Sequence, residues 1–472
     1  MATNKTFYIT TPIFYPNAKL HMGHAYVVTL CDILARYHRL IEDETYFLTG
    51  ADENTGKILK SLENKNVNEY LRELSLNFQD LYKQLHISND QFIRTSDKEK
   101  HWPGAVALWN KLVEAGDIYK SKYTGLYCVG CETFYTEKDL VDGKCPVHLI
   151  EPEKIEEENY FFKLSKYTEI IKEKIERDEF KIIPNTRRNE ILALLDRGLE
   201  DVSFSRPIKN VPHGIPVPND REQVIYVWCD ALVNYISALG YGRDDDLYQK
   251  FWPGIHVIGK DILRFHTAIW PAMLLSAGLP LPKLVLVHGM INSGGHKMSK
   301  SLGNVIDPEV LIREYGYEAV RYYLATLSPS EDSDLTLERF KDLYNANLAN
   351  GLGNLVSRIM KMAEDNLEKA PEISKDTIPP EFFDYLENFE INKACDFVWQ
   401  EIGEMDKFIQ ENQPFKVIKI DKEAGQKMIS DLVIRLYSVA RMLNSILPET
   451  SEKIKILIKE NKTPERPLFI RK

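Results

Sequence analysis

The chain has 472 residues, of which 44% are hydrophobic and 28% charged, and a net charge of −10. That length exceeds what one hydrophobic core usually supports, so two to four structural units are expected, and the composition excludes a disordered or low-complexity protein. The charge argues against indiscriminate coating of nucleic acid, six cysteines are too few for a disulfide framework, and no apolar run reaches the roughly 18 residues of a membrane span.

In chain order, residues 6–11 read as a short buried strand, turn residues follow to Asn17, and apolar periodicity over 24–41 predicts a helix. A second strand over 46–49 runs into Gly50, Ala51 and Asp52, which places a carboxylate at a strand's carboxyl end, where open α/β sheets bind ligands. Residues 1–115 therefore read as the first half of a nucleotide-binding sheet. Over 116–205 the alternation stops, with a cysteine cluster and an acidic stretch at 151–158, so this part is expected to be an insert. Strand signals return at 224–228, 256–258 and 284–288, and the sheet is expected to resume over 206–290. From 346 to 472 the chain reads as helical, with Leu348, Leu352, Leu355 and Ile359 spaced for one apolar face. The expected fold class is α/β: a Rossmann-like parallel sheet split by a zinc-containing insert, followed by an α-helical bundle. The start of the chain lacks a charged stretch followed by an apolar core, so a cytoplasmic location with reduced thiols is expected.

Three clusters carry chemistry. His21, Gly23 and His24 lie between the first strand and the first helix, where helix N-terminal amides face an anion and two imidazoles can donate to phosphate oxygens. A loop with two surface histidines is the plain alternative. Lys297-Met298-Ser299-Lys300-Ser301 follows Gly294 and Gly295 and reads as a mobile loop that brings two ammonium groups to a polyphosphate, or else as a solvated basic turn. Cys128-x-x-Cys131, thirteen residues, then Cys145-x-x-His148 supplies four ligands for one tetrahedral structural zinc, with Gly130, Gly143 and Pro146 permitting tight turns; free or redox-active thiols are the other reading.

Together, His21-Met22-Gly23-His24 and Lys297 to Ser301 resemble the two signatures of the class I aminoacyl-tRNA synthetases. Thr10-Thr11-Pro12-Ile13-Phe14-Tyr15, Gly50-Ala51-Asp52-Glu53, Tyr226-Val227-Trp228-Cys229-Asp230-Ala231 and Gly259-Lys260-Asp261-Ile262 resemble the methionine-specific family in particular. The resemblance implies methionine activation by ATP, with magnesium on the phosphates, and transfer to the 3′ end of tRNA(Met). His21, Gly23, His24, Asp261, Lys297 and Lys300 would hold ATP, with the two histidines and two lysines catalytic. Ile13, Tyr15, Asp52, Arg206, Trp228, Ala231, Tyr235, Ile262 and His266 would form the methionine pocket. In it Asp52 would bind the ammonium and Arg206 would orient Asp52, and aromatic walls would suit a polarizable thioether. Core packing is the other reading of Trp228 and Tyr235. Residues 291–345 would hold the lysine loop and contact the tRNA stem. Asn354, Arg358 and Phe415 would read the anticodon, Phe415 standing where the family has tryptophan, unless Phe415 belongs to the bundle core. A monomer is expected. A leucine, isoleucine or valine enzyme would need a larger editing insert, and a non-catalytic tRNA-binding relative would not need both histidines and both lysines.

Overall fold

The computed structural model describes residues 5–16, 19–54, 66–129, 133–135, 137, 140–146, 149–298, 304–374 and 378–472. They form two compact units, each discontinuous in sequence. The first comprises Met1–Lys19, Glu44–Asp80 and Asn89–His288, and the second Leu20–Asp43, Leu81–Ser88 and Gly289–Lys472.

The first unit is built on a six-stranded, all-parallel sheet. Strands β1 (Thr6–Thr10), β2 (Glu44–Ala51) and β3 (Gln91–Arg94) form one half, in the spatial order β3-β2-β1. Ile255–Gly259, Leu284–His288 and Lys181–Ile183 continue from β1 in that order. Every residue of Ile255–Gly259 and Leu284–His288 is buried, as expected where helices cover both faces of a parallel sheet. The strand order reverses at β1 and Ile255–Gly259, with Thr10 in register with His256. Their carboxyl ends therefore border the crevice in which such sheets bind ligands.

The sheet is thus the expected one, with two local departures. Lys181–Ile183, inside the segment expected to be an insert, forms an edge strand of the main sheet and pairs with Leu284 to Leu286. Three residues followed by Pro184 are too short for a pattern to register. At 224–228, the strand is Asp220–Ile225 and lies in a separate antiparallel sheet with Pro216–Val217 and Ser205–Pro207, while Trp228 sits on the helix Val227–Leu232. That run is apolar and buried on all sides, so its period cannot separate strand from helix. The insert itself carries a four-stranded antiparallel sheet, dominated by the long pairing of Ile118–Cys128 with Glu153–Phe162.

The second unit contains helix α1 (Met22–Leu40) and a helical bundle that includes Tyr317–Ala325, Asn354–Asn366, Ile391–Asn412, Lys422–Leu443 and Pro448–Glu460. The π-helical segment Tyr344–Gly353 leads into Asn354–Asn366, and Leu348, Leu352, Leu355 and Ile359 are all buried, as their spacing predicts. Within this unit Arg321 is fully buried. Its guanidinium bonds Asp32 of α1 at 2.7 Å and donates to the carbonyls of Leu85, Ser445 and Ile446. Among the described residues no helix is long and apolar enough to cross a membrane.

Candidate active site

In the first unit the sheet brings three chain segments to one edge. After β1 the chain turns through Ile13, Phe14 and Tyr15, and Phe14 docks on the end of β2: its N–H donates to the Gly50 carbonyl, and its own carbonyl accepts the Asp52 N–H at 2.9 Å. Gly50 permits this approach, because a Cβ there would stand 2.3 Å from the Ile93 carbonyl and 2.9 Å from the Ile13 side chain. Asp52, only 3% exposed, is thereby held beside the Ile13 turn at the end of β2. The third segment is the turn Lys260–Ile262 after Ile255–Gly259. There the Asp261 carboxylate folds back over Gly259, where a Cβ would lie 2.7 Å from its oxygen.

The apolar walls come from Val227–Leu232 and from Phe265 to Ile269. Trp228 stacks on Phe265 with ring centroids 3.6 Å apart and meets Tyr15 edge-on at 6.5 Å, with Ile262 packed beside them. Ala231 lies on the same helix and is buried. The Trp228 Nε1–H is buried and has no acceptor among the described residues. Phe265 was not anticipated, although its place between Ile262 and His266 was a usable signal. Trp228 and Tyr235 are both buried, Tyr235 almost completely.

Hydrogen bonding fixes the proton positions at Tyr235 and His266. His266 Nδ1 lies 3.0 Å from the Ile262 carbonyl, so it carries the proton, and Nε2 accepts from the Tyr235 hydroxyl at 2.7 Å. Burial pushes the His266 pKa down to about 4, so the ring is neutral at physiological pH. The Tyr235 carbonyl in turn accepts from Tyr8 at 2.7 Å. Arg206 is buried and held by two neighbours. Its Nε and Nη2 form a bidentate pair with Glu157 at 2.8 and 3.1 Å, and its guanidinium lies over the Tyr127 ring.

In the second unit His21 is the N-cap of α1. Its Nδ1 accepts the Gly23 N–H at 3.0 Å, and His24 Nδ1 accepts the His21 N–H at 3.1 Å, a capping box made by two imidazoles. The rings lie 4.0 Å apart. A nitrogen that accepts cannot carry the ring proton, so each neutral imidazole is an Nε2–H tautomer, a donor at the positive end of a helix. Gly23 serves the cap itself, since a Cβ there would stand 2.9 Å from the His21 ring.

A sequence profile described as "tRNA synthetases class I (M)" matches residues 7–153 and 138–360. The methionine–tRNA ligase of Clostridium acetobutylicum is 44% identical over 96% of this chain and 73% of its own length, and that of Thermotoga maritima is 40% identical over 95% and 74%. The chain belongs to the class I methionyl-tRNA synthetases. A Mycobacterium tuberculosis methionyl-tRNA synthetase bound by methionyl-adenylate has the same fold, with a TM-score of 0.88 and 34% identity over 96% of this chain and 94% of that one.

The remaining candidate residues of this synthetase are distributed as follows. Gly294 and Gly295, both at positive φ, form a two-residue hairpin turn between Ile291–Ser293 and His296–Lys297. The hairpin brings the chain to Lys297; Lys300 and most of the loop expected over Lys297 to Ser301 lie outside the described residues. Cys128 ends the long insert strand and pairs across a hairpin with Thr133. Cys145 opens a tight turn closed by its N–H to the Ile150 carbonyl and by the Leu149 N–H to its own carbonyl. Both thiols are buried, while Cys131 and His148 lie outside the described residues. Buried cysteine sulfurs suit a structural zinc, and Cys128 and Cys145 are the two members of the expected ligand set among the described residues. Asn354 and Arg358 stand one turn apart on Asn354–Asn366, Asn354 exposed and Arg358 paired with Asp406. Phe415 is 43% exposed on the short helix Pro414–Val417, next to a buried Pro414, and so is not a core ring.

Proposed function

We propose that this chain activates L-methionine with ATP to methionyl-adenylate and then transfers the methionyl group to the 3′ end of tRNA(Met). The observation that carries the reading is the match, over nearly the whole chain, to a solved synthetase bound by methionyl-adenylate. In this reading Asp52 takes the substrate ammonium, and the aromatic pocket of Tyr15, Trp228, Tyr235 and Phe265, with Ile13, Ala231 and Ile262, takes the thioether. The Tyr235–His266 pair supplies a neutral polar contact that suits a sulfur with little charge. The methionine carboxylate attacks the α-phosphorus and pyrophosphate leaves. No covalent enzyme intermediate forms, so catalysis is positioning and charge stabilisation. The Nε2–H groups of His21 and His24 donate to phosphate oxygens as charge develops, Asp261 contacts the ribose, and Lys297 and Lys300 hold the departing pyrophosphate, with magnesium accompanying ATP. Arg206, itself held by Glu157, orients Asp52.

Cys128, Cys131, Cys145 and His148 would hold one zinc ion that braces the insert and, with four protein ligands, leaves no open position for substrate. Asn354, Arg358 and Phe415 would meet the anticodon. We further read the enzyme as a cytoplasmic monomer, which sedimentation at micromolar concentration tests, a stable dimer counting against it. The deciding experiment is ATP–pyrophosphate exchange with methionine, leucine, isoleucine, valine and cysteine supplied separately. Exchange with methionine alone is expected. Exchange with none would leave a tRNA-binding relative without catalysis, and preference for another amino acid would overturn the specificity.

A further inference from the structure

The chain that follows Asp52 is held by a buried polar network whose members the pocket itself does not use. Thr95 is fully buried, just past the end of β3. Its N–H donates to the Ala51 carbonyl, and its own carbonyl accepts from Asn54 Nδ2 at 2.9 Å and from Trp102 Nε1 at 3.1 Å. Its hydroxyl oxygen accepts two backbone N–H groups, from Glu53 at 2.8 Å and Asn54 at 3.1 Å. A hydroxyl has two lone pairs and one proton. With both lone pairs occupied by amides, the proton is directed to the one remaining neighbour, Asp52 Oδ1, at 3.3 Å.

The donors are themselves fixed. Asn54 Nδ2 also donates to Asp230 Oδ2 at 2.7 Å, and Asp230 Oδ1 meets His101 Nε2 at 2.5 Å. His101 Nδ1 lies 2.8 Å from the Ser237 hydroxyl. None of these side chains is more than 2% exposed. The network therefore ties the turn after β2 to the helices that carry Trp228 and Tyr235, and it ends on the Asp52 carboxylate.

We infer that Thr95 is a positioning residue for amino-acid recognition: its single hydroxyl proton holds the Asp52 carboxylate in the orientation that receives the substrate ammonium. The inference rests on the assignment of Asp52 to that ammonium. The hydroxyl does not touch substrate. It acts through Asp52, by adding a fixed donor to the acceptor that the ammonium meets.

Thr95→Ser and Thr95→Ala both lose the methyl group and differ from one another by the hydroxyl alone. In ATP–pyrophosphate exchange the alanine variant is expected to raise the KM for methionine about 10- to 150-fold over the serine variant, the range for one lost hydrogen bond to a charged group, with the KM for ATP changed less than about twofold. Inhibition by the 2-hydroxy analogue of methionine, which has no ammonium, should be alike in both variants, a difference that general damage to the pocket would not produce. Thr95→Val fills the original volume and serves where the alanine cavity prevents folding. Equal methionine KM in the serine and alanine variants, or a parallel rise for both substrates, overturns the role of Thr95. Asp52→Asn separates this from the underlying reading: if it leaves the methionine KM unchanged, the assignment of Asp52 fails and the inference with it. If it raises that KM while Thr95→Ala does not, the inference about Thr95 alone fails.

Discussion

Phe415 shows what one exposed ring can contribute. The two readings open to it, stacking on a base or filling the bundle core, make different demands on exposure, and at 43% exposed it is free to meet a ligand. A base stacked on an aromatic ring is worth about 1–3 kcal/mol, so Phe415→Ala is expected to lower tRNA charging efficiency roughly 5- to 150-fold. Pyrophosphate exchange and melting temperature should stay unchanged in the same variant. A fall in melting temperature would instead indicate a packing role. His266 gives a pH prediction of definite sign. Its folded pKa is near 4, because burial disfavours the charged ring, against about 6.5 unfolded. Below pH 6.5 the unfolded chain takes up a proton that the folded one excludes, so stability rises with pH between these values and is level above them. The contribution lost between about pH 6.5 and 5 is on the order of 2 kcal/mol. His256, also driven down by burial, adds in the same direction. Urea unfolding at the two pH values should show a smaller difference in His266→Gln, which keeps an acceptor for the Tyr235 hydroxyl but does not titrate.

Among the elements, α1 carries both the signature histidines and an internal anchor. Burial raises the pKa of Asp32, but the Arg321 and Arg36 guanidinium groups and two bonds from Ser88 more than reverse this and hold the carboxylate ionised. Arg321→Met leaves that charge without its principal partner and is expected to destabilise the chain by about 3–5 kcal/mol, while Arg321→Met combined with Asp32→Asn should recover part of the loss. Denaturation midpoints of the single and double variants give the comparison. This pair also marks a limit of sequence reading. Strand β1, helix α1 and the carboxylate after β2 were legible because each is a local pattern, a period or a residue at a strand end. Lys181–Ile183 was not, being too short, and Trp228 was assigned to a strand because an all-apolar run has no usable period. The polar network was hidden for another reason: His101, Asn54 and Asp230 are ordinary residues until the fold brings together positions 129 and 176 apart in sequence. Arg206 was found by its resemblance, but its partner Glu157 lies in the acidic stretch, which reads only as a break in the alternation of strands and helices.

At the scale of the molecule, the cysteine-bearing end of the insert is where the proposed metal would brace the chain. Cys128 ends its long strand and Cys145 opens a tight turn, and among the described residues nearby Val141, Leu149 and Ile150 are exposed. About one zinc per chain is expected by elemental analysis. Cys145→Ser should lower both the metal content and the melting temperature, because ligand binding energy is folding energy in such knuckles. A metal-free preparation with unchanged melting temperature and exchange rate would rule out the assignment.

The cap of α1 implies that the motif proposed for catalysis and the motif that folds the helix end are one object. An alanine at His21 would remove an anion donor and a helix cap together, and helix caps are typically worth about 1 kcal/mol, so its kinetics alone could not say which loss mattered. Amide side chains offer a way to divide the ring into its halves. Asparagine places an oxygen near the position of Nδ1 and can cap without reaching the ligand, whereas glutamine places an amide N–H near the position of Nε2 and can reach it without capping. His21→Asn should therefore keep the melting temperature and lose exchange activity. His21→Gln should do the reverse in part, and identical behaviour of the two would mean that the imidazole's two nitrogens do not divide the labour.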